Sequence, residues 1–238
     1  MAKAEPPSGG DPERFEPDAF EDLPAELALA RLPAGRHGLP RSFVAHNQRL
    51  RMLAALLRVL PRQGYANTTI GDVIQEAGVS RAAFYQQFAD KEECFLEIYD
   101  LASQWLCQRV ERSAAAESEW PGRVRAGASE ALRLLAGNPA LGHLIAVEGL
   151  QAGPAGRKRH RACLARLAGA LSAGRPARQE LPADLEEMLL GGAISLVARY
   201  VETGRAQELP EVTSELVHYL LVPYLGRRET RRIVDQAA

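Results

Sequence analysis

A series of helix start and stop signals near the first third of the chain constrains the fold more than any other feature. Thr68-Thr69 can cap the start of a short helix, and Gly78 can end it. Ser80 can cap a second short helix, and Asp90 can cap a third, longer one. Two short helices joined by a turn of three or four residues with a glycine are typical of a helix-turn-helix. The pattern therefore predicts this motif at about residues 69–88.

The second short helix divides into two faces when its residues are placed about 100° apart. One face carries Ala83, Phe84 and Phe88, which can pack with Val79 on the preceding helix. The other face is free to enter a DNA major groove, which is about 12 Å wide and admits one helix face. That outward face consists of Arg81, Ala82, Tyr85 and Gln86.

The outward side chains have the chemistry of DNA recognition. An arginine can donate two hydrogen bonds to guanine, a glutamine can pair with adenine, and a small alanine allows close approach to a thymine methyl. Tyrosine, lysine and threonine suit phosphate contacts. Any one of them alone is more often an ordinary surface or core residue, so the prediction depends on their shared face. The candidate DNA-binding residues are Arg41, Arg49, Thr69, Ser80, Arg81, Ala82, Tyr85, Gln86 and Lys91.

Charge is unevenly distributed in the N-terminal part of the chain. The formal net charge is −1, but residues 33–69 hold six arginines and no acid, whereas residues 1–32 hold eight acids and three bases. A polyanion responds to the local field rather than to the total charge. The alternative, a solvated charged face, also fits this composition. Charge alone therefore does not decide the function.

The first helix is predicted to start at Ser42 and to carry leucines at helical spacing. Gly64 should stop it. Pro61 lies before that glycine and should kink or shorten the last turn, because proline lacks the backbone donor. Residues 1–40 are rich in Pro, Gly and acid and are expected to be a mostly disordered arm, acidic and then basic.

The rest of the chain favours an all-α fold of about nine helices. Beyond residue 112 the sequence consists of Leu- and Ala-rich segments separated by Gly and Pro, with no alternating strand pattern. We expect a three-helix DNA-binding domain at 41–106 and a helical domain at 107–238 that binds an effector and dimerises.

Three short segments carry a resemblance to a known family. They are Gly-Tyr-Ala-Asn-Thr-Thr-Ile (64–70), Ala-Gly-Val-Ser-Arg (77–81) and Phe-Tyr-Gln-Gln-Phe-Ala-Asp-Lys-Glu (84–92). Together they resemble the N-terminal domain of the tetracycline-repressor (TetR) family over about residues 46–106. Pro61 departs from the family's pattern. The resemblance implies a DNA reader joined through its fourth helix to a variable helical domain.

The resemblance also implies a homodimer formed by the last two long helices, here about residues 183–203 and 209–225. A second argument is independent of it, since one helix reads only a few base pairs and two-fold half-sites supply more specificity. Packing inside one subunit is the alternative for each residue. The candidate interface residues are Leu189, Gly192, Leu196, Tyr200, Val212, Leu216, Tyr219 and Leu220.

The effector is the least constrained part of the prediction. Few aromatic residues follow residue 112, which disfavours an aromatic cage for a cation and weakly favours an apolar ligand. The candidate pocket residues are Trp105, Trp120, His143 and Glu148, for which surface or core positions are the alternative. The expected function is a repressor that a small molecule releases from a palindromic operator. An activator, an effector-independent regulator or a structural DNA binder would share most of these features.

Other classes of protein have weaker support. The chain lacks a P-loop, GxGxxG, HExxH and GxSxG, so we expect no enzyme. The three cysteines are widely spaced, so we expect neither a zinc site nor a disulfide framework, and we expect no cofactor. The absence of a signal sequence and of a long apolar segment predicts a cytoplasmic protein that does not enter the membrane.

Overall fold

The computed structural model describes residues 41–175 and 181–235, and the side chains from residue 44 onward. The predicted arm at residues 1–40 and the side chain of Arg41 lie outside this range. The described parts contain no β-strand. Their α-helices are α1 (Arg41–Asn67), α2 (Ile70–Ala77), α3 (Arg81–Gln87), α4 (Lys91–Ala115), α5 (Trp120–Gly137), α6 (Pro139–His143), α7 (Gly149–Gln151), α8 (Gly153–Ser172), α9 (Leu185–Glu202) and α10 (Thr213–Asp235).

Two shorter segments complete the architecture. A π-helical turn at Leu144–Glu148 joins α6 to α7, and a 3₁₀ segment at Ala206–Val212 precedes α10. The all-α fold is therefore confirmed, with the helix-turn-helix at the N-terminal end and a helical body after it. None of the helices within the described ranges is long and apolar enough to cross a membrane.

The caps predicted from sequence lie where expected. Thr69 forms a capping box with Asp72, and Gly78 ends α2 in the left-handed conformation at φ 61°. The Ser80 side chain accepts a hydrogen bond from the backbone N–H of Ala83, and the Asp90 side chain accepts one from that of Glu93. Because each cap fixes the direction of the next helix, these local signals orient α2, α3 and the start of α4.

The end of α1 corrects one detail of the prediction. The helical backbone continues through Pro61 and breaks at Gly64, which has φ 75° and ψ 163°. Glycine reaches this region without the steric penalty that a Cβ would bring. The same arrangement recurs in α10, where Pro223 is followed three residues later by Gly226 at φ 75° and ψ 164°. In both helices the glycine breaks the helix and the proline does not.

A continuous apolar core joins the N-terminal helices to the body through α4. The apolar residues of this helix that are buried include Phe95, Ile98, Tyr99, Ala102 and Leu106. Helix α4 packs on α1, α5 and α8. A displacement of α4 therefore changes contacts in both the N-terminal helices and the body.

Of the last two long helices, only the second differs clearly in its bounds from the prediction. The first is Leu185–Glu202 and closely matches the expected residues 183–203. The second starts at Thr213, because the preceding residues form the 3₁₀ segment, and it continues past the break at Gly226 to Asp235.

Candidate DNA-binding surface and ligand cavity

Helix α3 presents the outward face that the sequence predicts. Arg81, Ala82, Tyr85 and Gln86 are exposed, and 51% of Tyr85 is accessible to solvent. On the opposite face Ala83, Phe84 and Phe88 are buried in the core formed with α1 and α2. Burial of these rings fixes the rotation of α3 about its axis. The four outward residues are thus held on one surface.

Arg49 is placed inside the N-terminal domain rather than on a free surface. Its guanidinium forms an ion pair with Glu97 of α4 and donates a 2.6 Å hydrogen bond to the backbone carbonyl of Gln87. It also lies 4.4 Å from the ring centroid of Phe88. These contacts join α1, the end of α3 and α4, so Arg49, a predicted DNA-binding residue, has a structural role that the sequence did not indicate.

Lys91 also has partners within the protein. Its Nζ donates hydrogen bonds of 2.7 Å to the carbonyls of Tyr65 and Thr68 and lies 4.2 Å from the ring centroid of Tyr65. Burial lowers the pKa of this ammonium below its usual range. Lys91 therefore joins the end of α1 to the start of α4, a contact that the sequence did not indicate.

Thr69 and Ser80 remain at the surface but act first as helix caps. The Thr69 hydroxyl donates to Asp72 Oδ2 at 2.7 Å and accepts from the Asp72 backbone N–H at 3.2 Å. These hydrogen bonds lower the pKa of the Asp72 carboxyl. Both caps are exposed and lie at the N-terminal ends of α2 and α3. Each side chain could therefore contact a phosphate while it still caps its helix.

The other arginines of α1 hold α2 in place. Arg51 donates hydrogen bonds to the carbonyls of Ala77 and Gly78 at the end of α2. Arg58 and Arg62 both pair with Glu76, at 2.8 and 3.2 Å. The positive charge of this segment suggested an attraction to DNA, but these three arginines bind groups of the protein itself.

A cavity of about 120 Å³ lies in the body between α4, α5, α8, α9 and α10. Arg123 alone is charged among the described residues that line it. The remaining lining is aliphatic or glycine and consists of Leu106, Val110, Ala114, Val124, Gly127, Ala128, Ala131, Leu132, Leu135, Ile145, Ala146, Leu167, Ala170, Leu171, Leu190, Ala193, Ile194, Val197, Leu216 and Leu220. Such a lining suits an apolar guest.

The residues expected to line a pocket do not line this cavity. The indole of Trp120 is buried, donates a 2.8 Å hydrogen bond to the Leu171 carbonyl and packs edge-on against Tyr224. Trp105 lies beside Arg109, with 5.8 Å between the guanidinium carbon and the ring centroid. These rings have structural partners, and aliphatic side chains that look like ordinary core in the sequence form this cavity.

His143 and Glu148 lie instead at the junction between the body and α1. Glu148 is 1% exposed, and its Oε2 accepts a 3.0 Å hydrogen bond from the backbone N–H of Tyr65. Its Oε1 lies 3.5 Å from Nδ1 of His143. Burial lowers the pKa of His143, against the opposing effects of Glu148 and Glu202. The pair was singled out for a pocket, but it contacts the broken end of the first helix.

The residues expected at a dimer interface fall into two groups. Leu189, Leu216 and Leu220 are buried in the protomer's own core, and the last two line the cavity, so they are not available to a partner. The others are partly or fully exposed: Gly192, Leu196, Tyr200, Val212 and Tyr219. The ring of Tyr219 lies across Gly192, where an added Cβ would meet its hydroxyl.

Comparison with known proteins agrees with this N-terminal geometry. A family model described as bacterial regulatory proteins of the tetR family matches residues 52–98, from within α1 to the first two turns of α4. Over these residues the chain is similar to the tetR family. The resemblance seen in the sequence is confirmed, and the matched segment is the helix-turn-helix domain of DNA-binding transcriptional regulators.

Curated relatives are similar within the same region. The HTH-type transcriptional regulator AcrR of Shigella flexneri is 38% identical over 58 residues, which are 24% of this chain and 27% of that protein. The HTH-type transcriptional regulator YfiR of Bacillus subtilis is 33% identical over 69 residues, which are 29% and 34% of the two chains. The aligned part thus spans about a quarter to a third of these tetR-family relatives.

Solved structures extend the similarity of fold to the body. FadR of Bacillus subtilis, determined in complex with stearoyl-CoA, has a TM-score of 0.64 at 19% identity, covering 74% of this chain and 98% of its own. FadR of Bacillus halodurans, a fatty acid degradation regulator, has a TM-score of 0.65 at 18% identity, covering 73% and 94%. At these identities the similarity concerns the fold.

Proposed function

We propose that this tetR-family protein is a sequence-specific DNA-binding transcriptional regulator whose affinity for its operator is lowered by an apolar small molecule. One observation carries the DNA-binding part: α3 buries Phe84 and Phe88 and leaves Arg81, Tyr85 and Gln86 exposed on one face. This division is what insertion of one helix face into a major groove requires.

Within the reader, the structure supports a division of roles. Arg81, Ala82 and Gln86 suit contacts to base edges, while Tyr85 and the surface caps Thr69 and Ser80 suit phosphates. Arg49 and Lys91 stabilise the reader from inside through the contacts described above. We propose no direct DNA contact for these two.

We propose that the protein acts as a homodimer. Two readers related by two-fold symmetry would contact half-sites about 34 to 36 Å apart. The surface of α9 and α10 supports this proposal, because Met188 and Tyr219 are apolar side chains that are 57% and 42% exposed there. Leu196 and Tyr200 extend the same surface.

The cavity supports an apolar effector. An apolar protein cavity of about 150 Å³ is known to bind benzene, so the space of about 120 Å³ in this body is close to a size that small apolar molecules occupy. A longer molecule would have to displace the helices that line the cavity. The FadR of Bacillus subtilis was determined with stearoyl-CoA, which contains a long acyl chain, and it shares this fold.

Two elements connect the cavity to the reader. The π-helical turn presents Ile145 and Ala146 to the cavity, while Glu148 of the same turn accepts a hydrogen bond from the backbone of Tyr65 near the end of α1. Helix α4 presents Leu106 and Val110 to the cavity and begins beside α3. A guest that displaces either element would move the two readers of the dimer relative to each other.

The test of the proposed function is selection of bound duplexes from random DNA by the full chain. We expect a palindromic site with half-sites about one helical turn apart, and we expect medium-chain and long-chain fatty acyl compounds to weaken binding to it. Binding that hardly varies with sequence would instead support a structural DNA binder. Sequence-specific binding that no apolar compound changes would support an effector-independent regulator.

A further inference from the structure

Helices α4 and α8 run side by side in the same direction and are joined by a ladder of side-chain pairs. Ion pairs form its two ends, with 2.8 Å between Arg159 Nε and Asp100 Oδ2 and 2.6 Å between Arg166 Nε and Glu111 Oε1. The two rungs between them are buried. They are Tyr99 Oη with His160 Nδ1 at 3.0 Å, and Cys107 Sγ with Cys163 Sγ at 3.8 Å.

The two thiols need little movement to form a bond. A disulfide has about 2.05 Å between its sulfurs, so Cys107 and Cys163 would have to approach by about 1.8 Å in total. Small rotations of both side chains can share this movement while the ion pairs keep the helices in register. Geometry therefore favours a link between these two cysteines.

The contact between the two thiols distinguishes them. This hydrogen bond, in which either sulfur can be the donor, lowers the pKa of Cys107 and raises that of Cys163, and the nearby Arg166 guanidinium also lowers the pKa of Cys107. Cys94 differs, because burial raises the pKa of its thiol. Cys94 is thus an internal control, because its thiol should stay free when the other two are oxidised.

We propose that Cys107 and Cys163 form an oxidisable dithiol that hydroperoxides convert to an intramolecular disulfide between α4 and α8. The Cys107 thiolate attacks the terminal peroxide oxygen, the O–O bond breaks, and the released alkoxide or hydroxide takes up a proton. The resulting sulfenic acid is attacked by the Cys163 sulfur, which loses its proton as water leaves. The two thiols lose two electrons, and the peroxide is reduced to water and an alcohol or a second water.

The link would lie beside the cavity and on the helix that reaches the reader. Leu106 lines the cavity and is adjacent to Cys107, and Leu167 lines it one turn after Cys163. A covalent bond would hold these two walls at a fixed distance. It would also restrict the unfolded chain, so the oxidised protein should melt about 5 to 10 °C higher than the reduced protein.

The test uses the full chain, reduced, freed of reductant and treated with hydrogen peroxide at about 1 mM. We expect the mass to fall by about 2 Da, two of the three thiols to become unreactive in denaturant, and dithiothreitol to reverse both changes. Trypsin would leave Cys94 and Cys107 together in peptide 92–109 and Cys163 in peptide 162–166. The Cys94→Ser variant therefore assigns the link, and its two peptides should remain joined until reduction.

The Cys163→Ser variant provides the second arm of the experiment. It cannot close the bond, so peroxide should leave a sulfenic acid on Cys107 that dimedone traps. Three free thiols in oxidised wild type, a link that involves Cys94, or a link between two chains would each overturn the proposal. The mass of the peroxide-treated wild type tests the proposal even if a variant fails to fold.

Discussion

Oε2 of Glu148 accepts a hydrogen bond from the backbone N–H of Tyr65 at a distance of 3.0 Å. The two residues are 83 positions apart in the chain and belong to different parts of the protein. Gly64, immediately before Tyr65, breaks α1 at φ 75°. The carboxylate thus satisfies a donor that the broken helix leaves without an internal partner. Because Glu148 ends the π-helical turn that also lines the cavity, this bond connects the wall of the cavity to the end of α1.

Removal of this carboxylate should destabilise the protein. In Glu148→Ala the Tyr65 N–H loses its acceptor in a buried site, which should lower the free energy of unfolding by about 1 to 3 kcal/mol. Glu148→Gln keeps an oxygen that can accept the same hydrogen bond and should lose less. Urea unfolding followed by circular dichroism compares the two variants. Equal stability of both variants and wild type would show that the bond contributes nothing.

The buried His160 and the partly buried His143 should make stability fall in mild acid. Burial lowers the pKa of His143 and of His160, the latter hydrogen-bonded to Tyr99 and to the backbone of Ile145. The unfolded state, with histidine pKa values of about 6.5, therefore binds protons more readily than the folded state. The stability contributed by the neutral side chains is present above pH 6.5 and is lost as pH falls towards the lowered folded pKa values.

The measurement is the free energy of unfolding at intervals from pH 7.5 to 5.5. We expect a decline across this window, and a shallower decline in His160→Gln. A wild-type free energy that stays constant across the window would contradict the account.

Filling the cavity should exclude apolar ligands. Ala128 of α5 lines the cavity, so Ala128→Leu places additional methyl groups in the space that a guest would occupy. Fluorescence of cis-parinaric acid reports occupancy, and we expect its apparent affinity to fall about tenfold or more in this variant. The matched control is Ala165→Leu on the exposed face of α8. Equal losses of affinity in both variants would indicate that the probe binds outside the cavity.

The exposed surface of α9 and α10 should mediate dimerisation. Tyr219 is 42% exposed on this surface, so Tyr219→Arg would place a charge in a two-fold interface and repel its symmetry mate. Light scattering after size exclusion should show a shift from dimer to monomer. Leu150→Arg changes another exposed apolar residue, on α7, and should remain dimeric. The opposite behaviour of the two variants would place the interface near α7.

The sequence predicted the features that depend on local signals. Thr69, Gly78, Ser80 and Asp90 act on the backbone within three or four residues, so spacing alone identified the boundaries of α2 and α3 and the start of α4. The outward face of α3 followed from helical periodicity, because a seven-residue helix against a core has one exposed side.

Long-range contacts could not be predicted in this way. Arg49 was predicted to bind DNA, because its partner Glu97 lies 48 residues away and the sequence does not relate the two. Glu148 was a candidate for the effector pocket together with His143, but nothing in the sequence related it to Tyr65. The lining of the cavity was not predicted for a different reason. Leucine, alanine and valine recur at the same helical spacing whether they surround a cavity or fill a close-packed core.

The central claim is that the outward face of α3 reads DNA, and Arg81 tests it most directly. The measurement is the dissociation constant of wild type and Arg81→Ala for the selected site and for each single-base variant of one half-site, at one fixed salt concentration. We expect Arg81→Ala to cost about 1 to 3 kcal/mol and to lose discrimination at one base pair only, while Arg161→Ala on α8 leaves the whole profile unchanged. An Arg81→Ala protein that binds as tightly as wild type, with the same preference at every position, would contradict the assignment of α3 as the reader.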